Sequence, residues 1–97
     1  MTPSNFFPCF IYLRIYNKEN IIKIYTGITG SMSRRQFEHN SNLSKTTKIY
    51  NKNFDLVEIR YKLIGSYLTS RAYEKTFKKY NQFKKLKISQ NWKRWTG

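Results

Sequence analysis

Cysteine, acidic residues and long apolar runs are all scarce in this 97-residue sequence. The single cysteine, Cys9, excludes an internal disulfide and any zinc site built from several thiolates, and an intracellular, reducing location is the simplest fit. No stretch of about 18 apolar residues occurs, so the sequence predicts no membrane-spanning helix. The apolar run 6–16 is interrupted by Pro8 and Arg14 and follows no basic region, which argues against a signal peptide.

Positive charge is abundant where acids are scarce. Five Asp and Glu residues stand against 19 Lys and Arg, which gives a formal net charge of +14, while 39% of the residues are apolar and 18% aromatic. This composition indicates one folded domain rather than a solvated basic tail, and a domain this basic repels itself unless part of its charge faces a polyanion. We therefore expect nucleic acid as the first partner to consider and an acidic membrane surface as the second. An AT-biased coding sequence is the alternative explanation of the lysine excess.

The apolar periodicity predicts an α+β fold, with a small three-stranded antiparallel sheet flanked by helices. Residues 10–16 alternate between an apolar face and a face that carries Tyr12, as in a half-buried strand. A four-residue hairpin loop at 17–20 leads into a second strand over 21–25, which places Tyr25 on the same face as Tyr12. The β-branched and aromatic stretch 54–63 predicts the third strand.

Helices are expected before and after the third strand. Gly27 and Gly30 bracket a turn, after which Ser31 or Ser33 caps a helix that ends near residue 40. The polar stretch 41–53 lacks a period and predicts a loop. A second helix, capped by Thr69 or Ser70, is indicated by an apolar stripe at helical spacing, formed by Tyr73, Phe77 and Tyr80. We expect an irregular lead-in over 1–9, a single domain over 10–92 with a short third helix near its end, and a basic tail over 93–97.

One set of side chains offers the chemistry of phosphodiester hydrolysis. Tyr12 and Tyr25 are predicted on one face of the hairpin, Arg35 and His39 lie four residues apart and share a helix face, and Glu74 lies on the next helix. Hydrolysis needs a base for water, a cation for the charge that develops on phosphorus, and usually a divalent metal. Each role has a candidate among these five residues.

The same residues resemble the motifs of the GIY-YIG nuclease family, over residues 10–92. The first motif would be Phe10-Ile11-Tyr12 and the second Tyr25-Thr26-Gly27, and Arg35 follows Tyr25 by ten residues, the family's spacing for its catalytic arginine. Phe10 replaces the glycine of the first motif and Thr26 the isoleucine of the second. Ile28 stands where the excision-repair nucleases of the family have lysine, which puts that branch in doubt but not the family.

The resemblance implies an endonuclease that cuts duplex or branched DNA, leaves a 5′-phosphate, and works in DNA repair or recombination. It implies catalytic roles for Tyr12, Tyr25, Arg35, His39 and Glu74, with Glu74 holding one Mg²⁺ (or Mn²⁺) ion. A tyrosine would help to activate the attacking water, the arginine would neutralise the phosphorane, and the histidine would contact the phosphate or share the base role. We expect contacts with nucleic acid from a wider set of residues: Gly27, Thr29, Arg34, Lys84, Lys85, Lys87 and Asn91. Specificity would come from a partner protein or an appended domain, and the oligomeric state stays open.

Simpler interpretations exist for each residue. The two tyrosines fit any strand, Arg35 and His39 fit a solvated helix face, and Glu74 with Lys78 makes an ordinary i,i+4 ion pair. The C-terminal lysines and tryptophans fit either a patch that follows phosphates or an amphipathic helix whose Phe83, Leu86 and Trp92 close the core. At the level of function, the alternatives are a non-catalytic nucleic-acid-binding module, possible as a degenerate nuclease, and a basic protein of membrane surfaces. The second is disfavoured because the predicted core uses the apolar positions.

Overall fold

After the first hairpin, the strands of one antiparallel sheet are separated along the chain by pairs of helices. A computed structural model describes residues 8–97. The elements are β1 (Cys9–Lys18), β2 (Ile21–Thr29), α1 (Met32–Asn40), α2 (Lys45–Asn53), β3 (Asp55–Gly65), α3 (Tyr67–Phe77), α4 (Gln82–Ile88) and β4 (Lys93–Arg94), with a 3₁₀ turn over Ser89–Asn91. The strand order is β2-β1-β3-β4 and every pair is antiparallel. The predicted α+β class is confirmed, and the sheet has four strands rather than three.

The central strand β1 is buried on both faces. On one face Ile11, Leu13 and Ile15 form a core with Phe77 of α3. On the other face Tyr12 packs with Met32 of α1. The predicted division of β1 into two faces is confirmed, but the prediction of a half-buried strand is wrong because α3 covers one face and α1 the other. Cys9, assigned to the lead-in from the sequence, begins the strand as a buried small side chain.

The hairpin is tighter and longer than its sequence suggests. Lys18 pairs with Ile21, so the turn contains two residues rather than the four predicted, and its first residue, Glu19, has a φ of 58°. The second strand does not end at Tyr25 but continues to Thr29. Gly27 therefore lies inside β2, paired with Tyr12, and not in a turn.

Side-chain caps define the helices. Ser31 caps α1 by accepting a hydrogen bond from the Arg34 backbone N–H at 3.3 Å, as predicted. Ser66, rather than Thr69 or Ser70, caps α3, because its hydroxyl accepts from the Thr69 N–H at 3.3 Å. The longest helix of the described chain has 11 residues, and none within 8–97 is long and apolar enough to cross a membrane.

The stretch predicted as a loop contains a helix. Residues 45–53 form α2, and Thr47, Tyr50 and Asn51 lie one turn apart on its inner face. The Tyr50 ring packs edge-to-face on Tyr16 with centroids 5.4 Å apart, and Thr47 is fully buried. Because two of these three contacts are polar, the stripe carries no hydrophobic period that the sequence could reveal.

The C-terminal segment closes the fold. Leu86 and Trp92 pack against the core of Ile11 and Phe77, as in one of the two interpretations, whereas Phe83 is 79% exposed. Residues 93–94, assigned to a tail from the sequence, pair with β3 as β4. Ion pairs stabilise this pairing of β3 with β4: the Glu58 carboxylate lies 3.2 Å from Nε of Arg60 and 3.3 Å from Nε of Arg94. Of residues 1–9, assigned to a lead-in, 1–7 lie outside the described residues.

The hydroxyl of Thr26 generates a stability prediction. Thr26 pairs with Leu13, is 4% exposed, and its Oγ1 finds no hydrogen-bond partner among the described residues. Replacing that hydroxyl by a methyl group removes the cost of burying an unpaired polar atom, so Thr26→Val should stabilise the fold by about 1 kcal/mol and raise Tm by about 5 °C in thermal unfolding.

Thr29→Val is the matched control. The Thr29 hydroxyl accepts from the Ser31 N–H and donates to the Ser31 carbonyl, both at 3.0 Å, so the same substitution there should lower Tm. A Tm that falls in Thr26→Val would contradict the account of the orphaned hydroxyl.

Candidate active site around Tyr12

The position of Tyr12 depends on a neighbouring glycine. Tyr12 projects from the central strand directly opposite Gly27 of β2. A Cβ atom on Gly27 would lie 2.5 Å from the Tyr12 hydroxyl oxygen and 2.6 Å from Cζ, so only glycine leaves room for this ring. Gly27 is buried, and the role that the structure gives it is to accommodate Tyr12. This role differs from the turn that the sequence predicted at Gly27, because it depends on the pairing of β1 with β2.

Two side chains from α1 meet the Tyr12 hydroxyl. The hydroxyl oxygen lies 2.6 Å from Nε2 of His39 and accepts a hydrogen bond from Nε of Arg35 at 3.2 Å. Arg35 and His39 are one turn apart on α1, so the predicted shared face is confirmed. The Tyr25 ring lies edge-to-face against the His39 ring with centroids 5.1 Å apart, and 6.3 Å from the Tyr12 ring. Four of the five predicted catalytic residues are therefore together.

The second nitrogen of His39 is held by α2. Nδ1 of His39 lies 2.8 Å from the Thr47 hydroxyl oxygen. The Thr47 hydroxyl can donate to the Ser44 carbonyl, which lies 3.5 Å away. If that donation is satisfied, the network assigns the proton of the neutral imidazole to Nδ1, which donates to Thr47. Nε2 then accepts from the Tyr12 O–H, and the Tyr12 oxygen accepts from Arg35. The imidazole N–H, the Thr47 hydroxyl and the Tyr12 hydroxyl then each have an acceptor.

The cluster is neutral at Tyr12 and His39 and positive at Arg35. Burial, reinforced by the charges of Arg14 and Arg35, lowers the pKa of His39 to about 4. Burial also raises the pKa of Tyr12, against the opposing effect of the Arg35 hydrogen bond. Burial acts against the charge of Arg35, but hydrogen bonds to Glu38 and Tyr12 outweigh it and raise the pKa of its guanidinium. Tyr12 and His39 are both fully buried, while the Arg35 side chain is 32% exposed.

Arg14 is a buried cation that the sequence analysis did not single out. It has no exposed surface, and none of the ion pairs within residues 8–97 includes it. Its guanidinium donates instead to three neutral acceptors: Tyr16 Oη at 2.8 Å, Gln36 Oε1 at 2.7 Å and Asn40 Oδ1 at 3.0 Å. Gln36 and Asn40 flank His39 on α1, so Arg14 fixes that helix on β1 and keeps a positive charge near the imidazole. An arginine on an inward face of a strand was the signal for this role.

Asn51 joins α2 to the same network. It accepts from the Tyr16 hydroxyl at 2.9 Å and donates to the His39 carbonyl at 2.8 Å. The helix missing from the sequence prediction thus supplies two residues, Thr47 and Asn51, that position His39.

Glu74 lies apart from this cluster. Its helix α3 packs through Phe77 on the face of β1 opposite to Tyr12, and no hydrogen bond or ion pair between described residues joins it to the cluster. Its carboxylate lies 3.4 Å from Lys78, the ion pair that the simpler interpretation expected. Within residues 8–97 no group of three or more His, Cys, Asp and Glu side chains could hold a metal ion.

The predicted nucleic-acid contacts fall in two regions. Gly27 is buried in β2, Thr29 ends that strand with its hydroxyl engaged with Ser31, and the Arg34 side chain is exposed in the first turn of α1. The others lie on α4 or just after it. Lys84, Lys87 and Asn91 are exposed, and Lys85 is half-buried. Lys84 stacks over the Tyr80 ring at 4.2 Å.

A titration tests the electrostatics of the cluster. His39 is the only histidine of the chain, so its ring resonances in NMR spectra report one group without assignment by mutation. We expect a pKa of about 4, and the ring to stay neutral down to pH 5. The unfolded chain titrates near 6.5, so it binds the proton first and the stability of the fold should fall as pH drops from about 6.5 towards 4. A His39 pKa of 6 or above would contradict the buried, neutral imidazole.

A pair of glycine substitutions tests the packing of Tyr12. Gly27→Ala forces the Tyr12 ring to move, and such overpacking costs about 1–3 kcal/mol of the free energy of unfolding. It should also separate the hydroxyl from His39 and shift the histidine resonances. Gly30→Ala is the control, because a Cβ there meets its nearest neighbour, the Pro8 carbonyl, at an ordinary 3.7 Å. Equal stability of the two variants in urea unfolding would refute the close approach.

Comparison of the chain with known protein families, with curated protein sequences and with solved structures gives no match. The resemblance to GIY-YIG nucleases therefore rests on the motifs of this chain alone. Arg35 and His39 follow Tyr12 by 23 and 27 residues in the sequence, and both meet its hydroxyl oxygen in the structure.

Proposed function

We propose that this chain is an endonuclease that hydrolyses DNA phosphodiester bonds at the Tyr12, Arg35 and His39 cluster. The convergence of these side chains on the Tyr12 oxygen, at 2.6 Å for the histidine and 3.2 Å for the arginine, is the observation that carries the proposal. A hydroxyl between an acceptor nitrogen and a cation is an arrangement that supports ionisation of the hydroxyl. The net charge of +14 supports a polyanionic substrate.

The proton of Tyr12 has an acceptor in His39 Nε2, and Arg35 would stabilise the phenolate that remains. At rest the raised pKa of Tyr12 and the lowered pKa of His39 both oppose this transfer. An anion close to the imidazole favours its protonated form, so we infer that the transfer accompanies binding of a phosphate. The phenolate then takes a proton from the water that attacks phosphorus, the bond from phosphorus to the 3′ oxygen breaks, and the proton held by His39 passes to that leaving oxygen. Arg35 and Tyr25 keep partial exposure, so they are the members of the cluster that a phosphate meets first.

Glu74 is the residue that would hold the Mg²⁺ ion of this proposal. Its side chain is 18% exposed, and its partner Lys78 is a flexible surface lysine at 55% exposure, so the pair is easily displaced. A single carboxylate with space for water is the ligand set that suits Mg²⁺, which keeps several waters and binds substrate phosphates. Because α3 packs on the face of β1 opposite to Tyr12, an ion held by Glu74 would supply positive charge to a phosphate oxygen only where the substrate contacts both α3 and the cluster. Lys78 would have to release Glu74 for this role.

A second function is favoured by the burial of the cluster. Tyr12 and His39 have no exposed surface, and both pKa shifts resist ionisation. The same arrangement serves a non-catalytic nucleic-acid-binding module, in which the network only stabilises the hairpin and α1 beneath a basic surface. The two functions differ in whether a strand break is made.

Nicking of supercoiled plasmid in the presence of Mg²⁺ distinguishes them. The wild-type chain should convert the plasmid to the open circle, and a chelator should stop it. Arg35→Ala and Tyr12→Phe should each lower the rate by about 100-fold or more, the usual cost of removing a group that stabilises a transition state. Glu74→Gln tests the metal role separately: a lower rate with a weaker dependence on Mg²⁺ supports it, and an unchanged rate shows that Glu74, which lies apart from the cluster, does not hold the ion.

Arg71→Ala is the matched control for Arg35→Ala. Arg71 is exposed on α3 and hydrogen-bonds to Tyr67, so its removal costs the same charge without touching the cluster. If Arg35→Ala loses no more activity than Arg71→Ala, the assignment of the active site is wrong. If the wild-type chain binds DNA without nicking that a chelator stops, the chain is the non-catalytic module.

A further inference from the structure

A large cleft lies beside the candidate active site, at the end of the sheet where β3 extends beyond β4. It has a volume of about 710 Å³, within the range of small-molecule sites. The start of α1, the end of β3 and the C-terminal segment form its walls. Five aromatic side chains line it and each keeps part of its surface exposed: Phe10, Tyr61, Tyr73, Trp92 and Trp95.

The rings pack by their edges. Phe10 and Tyr61 meet at a centroid distance of 5.8 Å and an angle of 69°, and Tyr61 meets Trp95 at 5.9 Å and 82°. Edge-to-face contacts use one face of one ring in each pair, so this wall retains ring faces on which a planar ligand can stack. Tyr73 and Trp92 form the opposite wall, with centroids 6.5 Å apart.

The polar groups of the cleft are cations and uncharged donors. Lys62 and Lys93 are exposed among its lining residues, and no acidic side chain of the described chain lines it. Asn91 and Ser33 add exposed hydrogen-bonding groups. Stacking surfaces combined with positive charge suit a ligand that is both planar and anionic, which is the chemistry of a nucleotide.

The cleft is continuous with the cluster around Tyr12. Phe10 and Tyr12 lie on the same face of β1, and Met32, which lines the cleft, packs against Tyr12 in the same core. Ser31 and Met32 also begin α1, the helix that presents Arg35 one turn further on. A nucleotide in the cleft would thus have its neighbouring phosphates beside Arg35.

We propose that the cleft binds an unpaired nucleobase, so that the substrate is DNA with a single-stranded segment next to the cleavage site. The choice of DNA rests on the proposed function. A base stacked inside a duplex does not present its faces to protein side chains, whereas a base in a flap or loop does. The proposal narrows the substrate from any duplex to branched DNA.

The tryptophans supply a direct probe, because Trp92 and Trp95 are the only two in the chain and both line the cleft. The probes are a ten-nucleotide single strand, a hairpin duplex with a ten-nucleotide single-stranded flap, and the blunt hairpin of the same duplex. Titrations are made with chelator and no metal, so binding is measured whether or not the chain cleaves. We expect the single strand and the flap to quench the fluorescence saturably, and the flap to bind at least tenfold more tightly than the blunt hairpin.

Two variants locate the site. The double variant Lys62→Ala, Lys93→Ala should weaken flap binding about tenfold and make it less dependent on salt. The matched control Lys48→Ala, Lys52→Ala removes two exposed lysines from α2 and should retain the preference for the flap. Trp95→Leu should reduce affinity for the single strand about tenfold through lost stacking.

Equal affinity for flap and blunt hairpin, or saturable binding without a change in tryptophan fluorescence, would overturn the cleft proposal. So would a loss of flap preference that is the same in the two lysine double variants. Plasmid nicking is a separate readout. With Mg²⁺ added, cleavage of the flap hairpin is measured beside it: a chain that cleaves DNA without flap preference refutes the cleft alone, and a chain that prefers flaps but cleaves neither DNA refutes the nuclease while leaving the base site in place.

Discussion

The hydrogen bond between Tyr12 and His39 is the contact on which the rest of the site depends. Both partners are fully buried, and a buried hydroxyl or imidazole without a partner is costly, so α1 must dock on β1 where these atoms lie 2.6 Å apart. Three separate sequence features serve that contact: Gly27 leaves space for the ring, Thr47 holds the far side of the imidazole, and Arg35 donates to the shared oxygen. Gly27, the polar helix α2 and Arg35 thus all contribute to the same buried contact between Tyr12 and His39.

Local charge matters more here than the total of +14. Two arginines, one fully buried and one partly exposed, lie around a neutral histidine, and within residues 8–97 Glu38 is the only carboxylate that pairs with either of them. A region with fixed positive charge and few acidic side chains favours the binding of an anion, and the attraction is strongest where water is excluded. Much of the remaining lysine is spread over exposed surfaces of α2, α3 and α4, where it contributes to attraction at long range.

The sequence was sufficient for features that depend on local period and insufficient for those that depend on tertiary contact. Alternation along β1 predicted its two faces, and helical spacing predicted that Arg35 and His39 share one side of α1. Helix α2 was missed because its inner face uses Thr47 and Asn51 instead of apolar residues. Gly27 was misplaced because its role depends on strand register, and Arg14 was overlooked because two of its three acceptors lie on another element. Spacing placed Glu74 on a helix but could not tell that α3 covers the face of the sheet opposite to Tyr12.

The coupling between Tyr12 and His39 is the most direct test of this account. A double-mutant cycle with Tyr12→Phe, His39→Leu and the double variant, measured by urea unfolding at pH 7, isolates their interaction from the loss of either side chain. We expect a coupling free energy of about 1–2 kcal/mol, as for contacting residues in a buried hydrogen-bond network. If the two substitutions are additive within about 0.5 kcal/mol, the contact does not organise the site.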